Sequence, residues 1–164
     1  MPTPCHPTQT HYRDLRRTAE RTGDWPALRR EAITRLRDAA ATHAAVADHL
    51  VAVLLEEGEP DDAWRAAIDH RDDLPDSRWQ QLIDLRQHTH PAEMVEPLQR
   101  LIEKQLSTST DKHRYDRVTR MVKQLRTAYR SSGDTAALRD FMDELRDRHR
   151  RKTAFLAKLD RAQL

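Results

Sequence analysis

Three glycines are all that the 164 residues contain, and each is followed at once by an acid: Gly23-Asp24, Gly58-Glu59 and Gly133-Asp134. Each also closes a stretch of good helix formers. Glycine enters the left-handed conformation without steric cost and so ends a helix. The acid behind it is suited to cap the next helix and to complement its dipole. Five residues beyond each glycine comes a small or apolar residue able to pack back on the first helix: Leu28, Ala63 and Leu138. The pattern spells the turn of a helical hairpin three times. So few glycines leave little with which to build β-hairpin turns, and Val and Ile are sparse outside a few runs. The chain is expected to be all-α.

Periodicity places the helices. The first is expected over 12–22 and the second over 25–41, with Pro26 in its first turn. The third, 43–57, is apolar almost all round (Val46, Leu50, Val51, Val53, Leu54, Leu55) and should be a buried centre. The fourth, 60–72, should bury Ala63, Trp64, Ala67 and Ile68 before Pro75 ends it. The fifth, 77–87, carries Trp79, Leu82, Ile83 and Leu85. A sixth opens at Pro91 and should be kinked at Pro97. The seventh, 111–131, has the stripe Tyr115, Val118, Val122, Leu125 and Tyr129. The eighth, 135–148, carries Leu138, Phe141 and Leu145. A short last helix holds Phe155, Leu156 and Leu159.

Paired in order, these give an α-solenoid of about four antiparallel hairpins with a C-terminal capping helix, in one domain over residues 11–164 behind a flexible Pro-rich arm, 1–10. Gly58, Ala63 and Pro75 are spaced as in the second half of a tetratricopeptide repeat, which that hairpin resembles. The segment Thr89-His90-Pro91-Ala92-Glu93 through Leu98-Gln99-Arg100-Leu101, with the ending Arg148-His149-Arg150-Arg151-Lys152, Phe155-Leu156 and Leu159-Asp160, is similar to the helical region of actinobacterial SWIM zinc-finger proteins. The similarity covers about residues 50–164. In that family the zinc module uses Cys-x-Cys and Cys-x-His pairs, and these are missing here. The resemblance therefore implies a helical binding scaffold without the metal.

Charge is segregated. Residues 1–42 hold 8 Lys/Arg and 5 Asp/Glu, residues 43–110 hold 6 and 14, and residues 111–164 hold 15 and 8. A basic end behind an acidic middle suits an acidic partner surface, a nucleic acid or a second copy of the chain. Cys5 is the single cysteine, so no disulfide can form within the chain, as expected of a cytoplasmic protein. The longest apolar run, 44–55, is too short and too polar for a membrane span.

Chemistry is thin. The nine histidines show no His-x-x-x-His or Glu-x-x-His spacing, so caps and solvated side chains are expected rather than a metal. The acids Glu56, Glu57, Glu59, Asp61 and Asp62 surround a hairpin turn and are expected to be solvated caps rather than an acid–base pair. No glycine-rich phosphate loop occurs, and Cys5 has no base in view. The chain is read as a non-enzyme without cofactor.

Trp25, Trp64 and Trp79 fall on apolar stripes or at a helix start and are expected to pack between hairpins, with Trp64 and Trp79 as candidate peptide anchors in a groove. Arg117, Arg120 and Lys123, together with Arg148, Arg150, Arg151 and Lys152, are the candidate partner-binding cations. The expected function is a protein–protein interaction scaffold that takes a peptide or helix of its partner in a helical-repeat groove. The rivals are a nucleic-acid-binding accessory protein using the basic C-terminal third, or a self-associating domain forming homo-oligomers.

Overall fold

A computed structural model describes residues 7–108 and 110–164. Among them nine α-helices and one 3₁₀ turn account for all the regular structure: α1 Gln9–Thr22, α2 Trp25–Thr42, α3 Ala44–Glu56, α4 Pro60–Asp69, α5 Asp76–Arg86, the 3₁₀ turn Pro91–Met94, α6 Val95–Thr108, α7 Arg114–Ser132, α8 Thr135–Arg148 and α9 Thr153–Arg161. No described residue is in a strand, so the all-α expectation stands. Cys5 and most of the expected flexible arm lie outside the described residues, and α1 starts at Gln9, where the arm was expected to run on to residue 10. Thr8 supplies the reason. Its hydroxyl accepts from His11 N–H at 3.3 Å while the His11 ring accepts from Thr8 N–H at 3.3 Å, closing a capping box.

The glycine turns share one geometry. Gly23, Gly58 and Gly133 have φ of +80°, +75° and +77°. The acid behind each donates its N–H to a carbonyl five residues back: Asp24 to Ala19, Glu59 to Leu54 and Asp134 to Tyr129, at 3.0, 2.9 and 3.1 Å. These are Schellman caps. The expectation that all three acids also cap the next helix needs correcting. Only Asp134 does so, accepting from Ala137 N–H at 3.1 Å. Asp24 makes no side-chain cap, and Glu59 turns instead to Arg29 at 3.0 Å.

The chain divides into two compact units, Met1–Trp79 and Gln80–Leu164, with the boundary inside α5. In the first, α3 is the centre and packs against α1, α2 and α4. Val46, Leu50, Val51, Val53 and Leu54 are all buried. In the second, α7 is the centre and packs against α6, the 3₁₀ turn, α8 and α9. It buries Val118, Met121, Val122, Leu125 and Tyr129. All three tryptophans belong to the first unit, and both phenylalanines, Phe141 and Phe155, to the second.

Three stripes depart from expectation. On α5 the buried positions include Trp79, Leu82 and Ile83, while Leu85 is 55% exposed. The residue that completes the buried face is Arg86, whose guanidinium reaches Glu93 at 3.0 Å. On α4 Ala66 is buried in place of Ile68, which is exposed. On α8 only Leu145 is buried, and Leu138 and Phe141 stay half-exposed. Pro97, where a kink was expected, does not interrupt α6, which runs unbroken from Val95 to Thr108. It falls in the first turn of α6, where backbone N–H groups have no intrahelical carbonyl to bond, and the turn before it is 3₁₀.

Candidate functional site

The acids around Gly58 are more than solvated caps: Glu56, Glu59 and Asp61 are exposed as expected, but Glu56, Glu57 and Asp62 also tie the helices of the first unit together. Glu56 pairs with Arg13 of α1. Glu57, with its side chain 6% exposed, takes Arg16 of α1 at 2.9 Å and Arg29 of α2 at 2.5 Å. Asp62 of α4 takes Arg37 of α2 at 2.7 Å. The Arg13 hydrogen bond holds the Glu56 carboxyl below its usual pKa. Burial, and then the nearby Glu57 charge, pushes the Tyr12 phenol well above its ordinary value, although no hydrogen bond of normal geometry joins the two. Tyr12 also meets Trp25 edge-on at 5.3 Å. A groove of about 570 Å³ lies over α4 in this unit, but its arginines Arg37 and Arg65 both face Asp62. Its charge is spent internally.

Trp64 and Trp79 are 7% and 1% exposed and stack edge-to-face at 5.7 Å. Trp79 Nε1 donates to the Arg71 carbonyl at 3.2 Å. In this conformation neither offers a face to a ligand.

The basic end of the second unit is sorted by its folding. Arg148 is the last residue of α8, and the chain then turns through 149–152 into α9. His149 turns inward. It is 7% exposed, its Nε2 lies 2.9 Å from a Glu103 carboxylate oxygen of α6, and its ring meets Phe155 edge-on. Arg148 pairs with the same Glu103 and, at 3.5 Å, with Glu144. The next three cations differ in exposure and in partners: Arg150 and Arg151 are exposed and Lys152 is half-buried. Arg150 reaches only Asp147, at 3.9 Å, with both side chains more than 70% exposed. Arg151 and Lys152 make no ion pair among the described residues. Together with Leu106 and Ser107 at the end of α6, the segment Asp147–Lys152 lines an open groove of about 540 Å³.

The α7 cations divide similarly. Arg117 is held by Asp111 at 2.8 Å and by the Gln105 side chain at 3.2 Å. Backbone and side-chain hydrogen bonds, from His113 N–H and then Arg117, lower the Asp111 pKa. Asp116 is likewise lowered by its bond to Lys158, which fastens α9 to α7. Arg120, Lys123 and Arg130 lie exposed along one side of α7 and form no ion pair among the described residues. The structure thus joins Arg148, Arg150, Arg151 and Lys152 in one place, with the first committed to Glu103, and puts Arg120 and Lys123 on a separate helix. Sequence reasoning missed Glu103, Leu106 and Ser107, since nothing local marks a residue 46 positions before its partner.

Among the described residues no group of three His, Cys, Asp or Glu side chains could hold a metal ion. His90 Nδ1 lies 2.9 Å from Thr89 Oγ1 in its turn. No helix among them is long and apolar enough to cross a membrane.

A family model described as Ku C terminal domain like matches residues 74–164. No curated protein and no solved structure compared with the chain matches it. The matched stretch covers α5 to α9, the whole of the second compact unit and the groove beside α8.

Proposed function

The chain belongs to the Ku C-terminal-domain-like family, and from that premise we propose that it is a non-enzymatic scaffold that binds a partner protein. Domains of this family are helical protein-interaction domains associated with kinase binding, so the ligand proposed is a protein surface or peptide rather than a small substrate. The observation that carries the proposal is the coincidence of the family match with the compact helical unit 80–164. The finer picture is a tetratricopeptide-like solenoid. It is supported by the three Schellman turns, each joining consecutive helices, and by the packing of each helix on its neighbour in α1 to α4 and α6 to α8. A helical scaffold like that of the SWIM-associated proteins, at work in the cytoplasm, belongs to the same proposal.

The test uses the full chain as bait in its source cell, with nuclease treatment, followed by reconstitution with the purified partner. The expected result is a saturable complex in which amide exchange slows within 74–164. Recovery that vanishes with nuclease and cannot be rebuilt from purified proteins would overturn the proposal.

A second reading, nucleic-acid binding, is favoured by one observation: the exposed Arg120, Lys123 and Arg130 stripe of α7 has no ion-pair partner among the described residues. Steeply salt-dependent binding to generic duplex would support it.

A further inference from the structure

We infer that the groove between the end of α6 and the α8–α9 turn docks an acidic peptide segment of the partner protein. The inference rests on the protein-binding proposal and adds both the place and the chemistry of the ligand.

Six consecutive residues, Asp147 to Lys152, line the groove. Glu103 absorbs the first cation of the run, Arg148, and fixes the buried His149 beside it. A ring packed against Phe155 and bonded to a neighbouring helix cannot swing out without breaking both contacts. The turn that follows is therefore anchored at its first two residues. Its backbone is further pinned where Lys152 N–H donates to the His149 carbonyl at 2.8 Å. Three further cations line the same groove, and the one acid there, Asp147, stands only at the outer edge of charge-pairing distance from Arg150.

The groove of the first unit shows the contrast. There both arginines face Asp62, and a charged ligand would have to displace an existing pair. Beside α8 no such exchange is needed for Arg151 and Lys152. Uncompensated cations held close together on a fixed turn suit closely spaced carboxylates, and the backbone of the turn needs no ordering on binding, which leaves only the side chains to be immobilised. The exposed Ser107 adds a hydroxyl donor at the opposite wall.

An acidic peptide fits better than a nucleic acid. The groove is a single short concavity, so it meets a few charges and not a phosphate track. Glu144, which is not among the residues lining the groove, lies largely exposed on α8 just before the turn and would repel a backbone of phosphates continuing past the groove. The unpaired α7 cations, Arg120 and Lys123, are not among the residues that line the groove.

The experiment measures fluorescence anisotropy of a labelled short peptide of alternating Asp and Glu around one Leu, with the full chain. A peptide of the same length carrying Asn and Gln, and a single-stranded DNA of equal charge, serve as competitors. The double variant Arg151→Glu/Lys152→Glu breaks no ion pair and keeps the backbone carbonyl of Lys152 that starts α9. Its circular dichroism should match the parent. The expected result is binding of the acidic peptide only, weakened roughly tenfold or more by this double variant. The variant Arg120→Glu/Lys123→Glu, with the same change in net charge, should leave affinity within about twofold, because screening confines charge effects to short range. Equal losses from both variants would mean non-local attraction and overturn the inference. So would DNA binding more tightly than the peptide with loss in the Arg151/Lys152 variant, or no peptide binding at all. If the reconstituted partner complex forms and survives Arg151→Glu/Lys152→Glu unchanged, the groove is wrong while protein binding stands. If no partner complex forms, the broader proposal fails on its own.

Discussion

Glu103 Oε2 and His149 Nε2 stand 2.9 Å apart and join the middle of α6 to the end of α8. His149 is buried, so the imidazole depends on this carboxylate for the partner of its Nε2. Replacing Glu103 with Ala would leave a buried polar nitrogen unpaired and leave Arg148 with Glu144 alone. A loss of about 1–3 kcal/mol is expected from urea unfolding. Glu103→Gln, which still accepts a hydrogen bond, should lose less. Equal stability of all three proteins would show that the contact does not hold the turn.

At Gly58 the cost of a side chain is conformational alone, since a Cβ there would meet nothing within 4 Å and φ is +75°. Gly58→Ala should lose about 1 kcal/mol. Gly58→Val should lose more, because a β-branched residue tolerates positive φ poorly, and Gly58→Asn should lose least. Chemical denaturation of the three variants tests that order. Any other ranking would mean that the turn rearranges.

Tyr12 gives two tests. Its buried hydroxyl has no hydrogen-bond partner among the described residues, so Tyr12→Phe should be neutral or stabilising by up to about 1 kcal/mol at neutral pH. Its phenol is held above the ordinary value of 10.0 by burial and by Glu57. The folded state then keeps a proton that the unfolded chain loses. Stability should fall as pH rises above that ordinary value, and less steeply in Tyr12→Phe. Melting curves across the alkaline range measure the difference.

Acid acts through Glu56. Its carboxyl lies below the ordinary 4.5 because Arg13 bonds the charged form. The stability it contributes is present above that ordinary value and lost as pH falls through the lower folded one. Glu56→Gln should therefore start less stable at neutral pH and lose less on acidification. An unchanged acid limb would show that this pair is slack in solution.

Trp79 sits fully enclosed against Trp64. Trp79→Ala should cost about 3–5 kcal/mol through the cavity it leaves. Preserved stability would contradict the packing described for α4 and α5.

Helix positions were legible because their signals are local. A left-handed glycine ends a helix whatever lies beyond it, so the three turns could be placed from Gly23, Gly58 and Gly133 alone. The face each helix buries was less legible. Nothing in the run Leu82-Ile83-Asp84-Leu85-Arg86 says that Arg86 goes in and Leu85 stays out, since a long aliphatic stem can cover an apolar surface as a leucine does. The acids around Gly58 were misjudged for a related reason. Their arginines come from α1 and α2, tens of residues earlier, and only the packed hairpins bring them within reach. The basic run 148–152 was visible, but not its division. Which cations are spent depends on Glu103 and on the direction the chain takes after α8.

The distribution of aromatic side chains makes the molecule its own two-channel reporter. With every tryptophan in residues 1–79, indole emission is weighted to the first unit, with Trp79 at its edge in α5, while far-ultraviolet circular dichroism sums the helices of both. Superimposable denaturation curves from the two signals would mean a single cooperative transition, and separated curves would give each half its own stability without any label. A peptide that docks beside α8 and yet shifts the indole signal would be felt at or beyond the boundary at Trp79, and the unfolding midpoint read by the indoles with and without peptide would measure how strongly the halves are coupled.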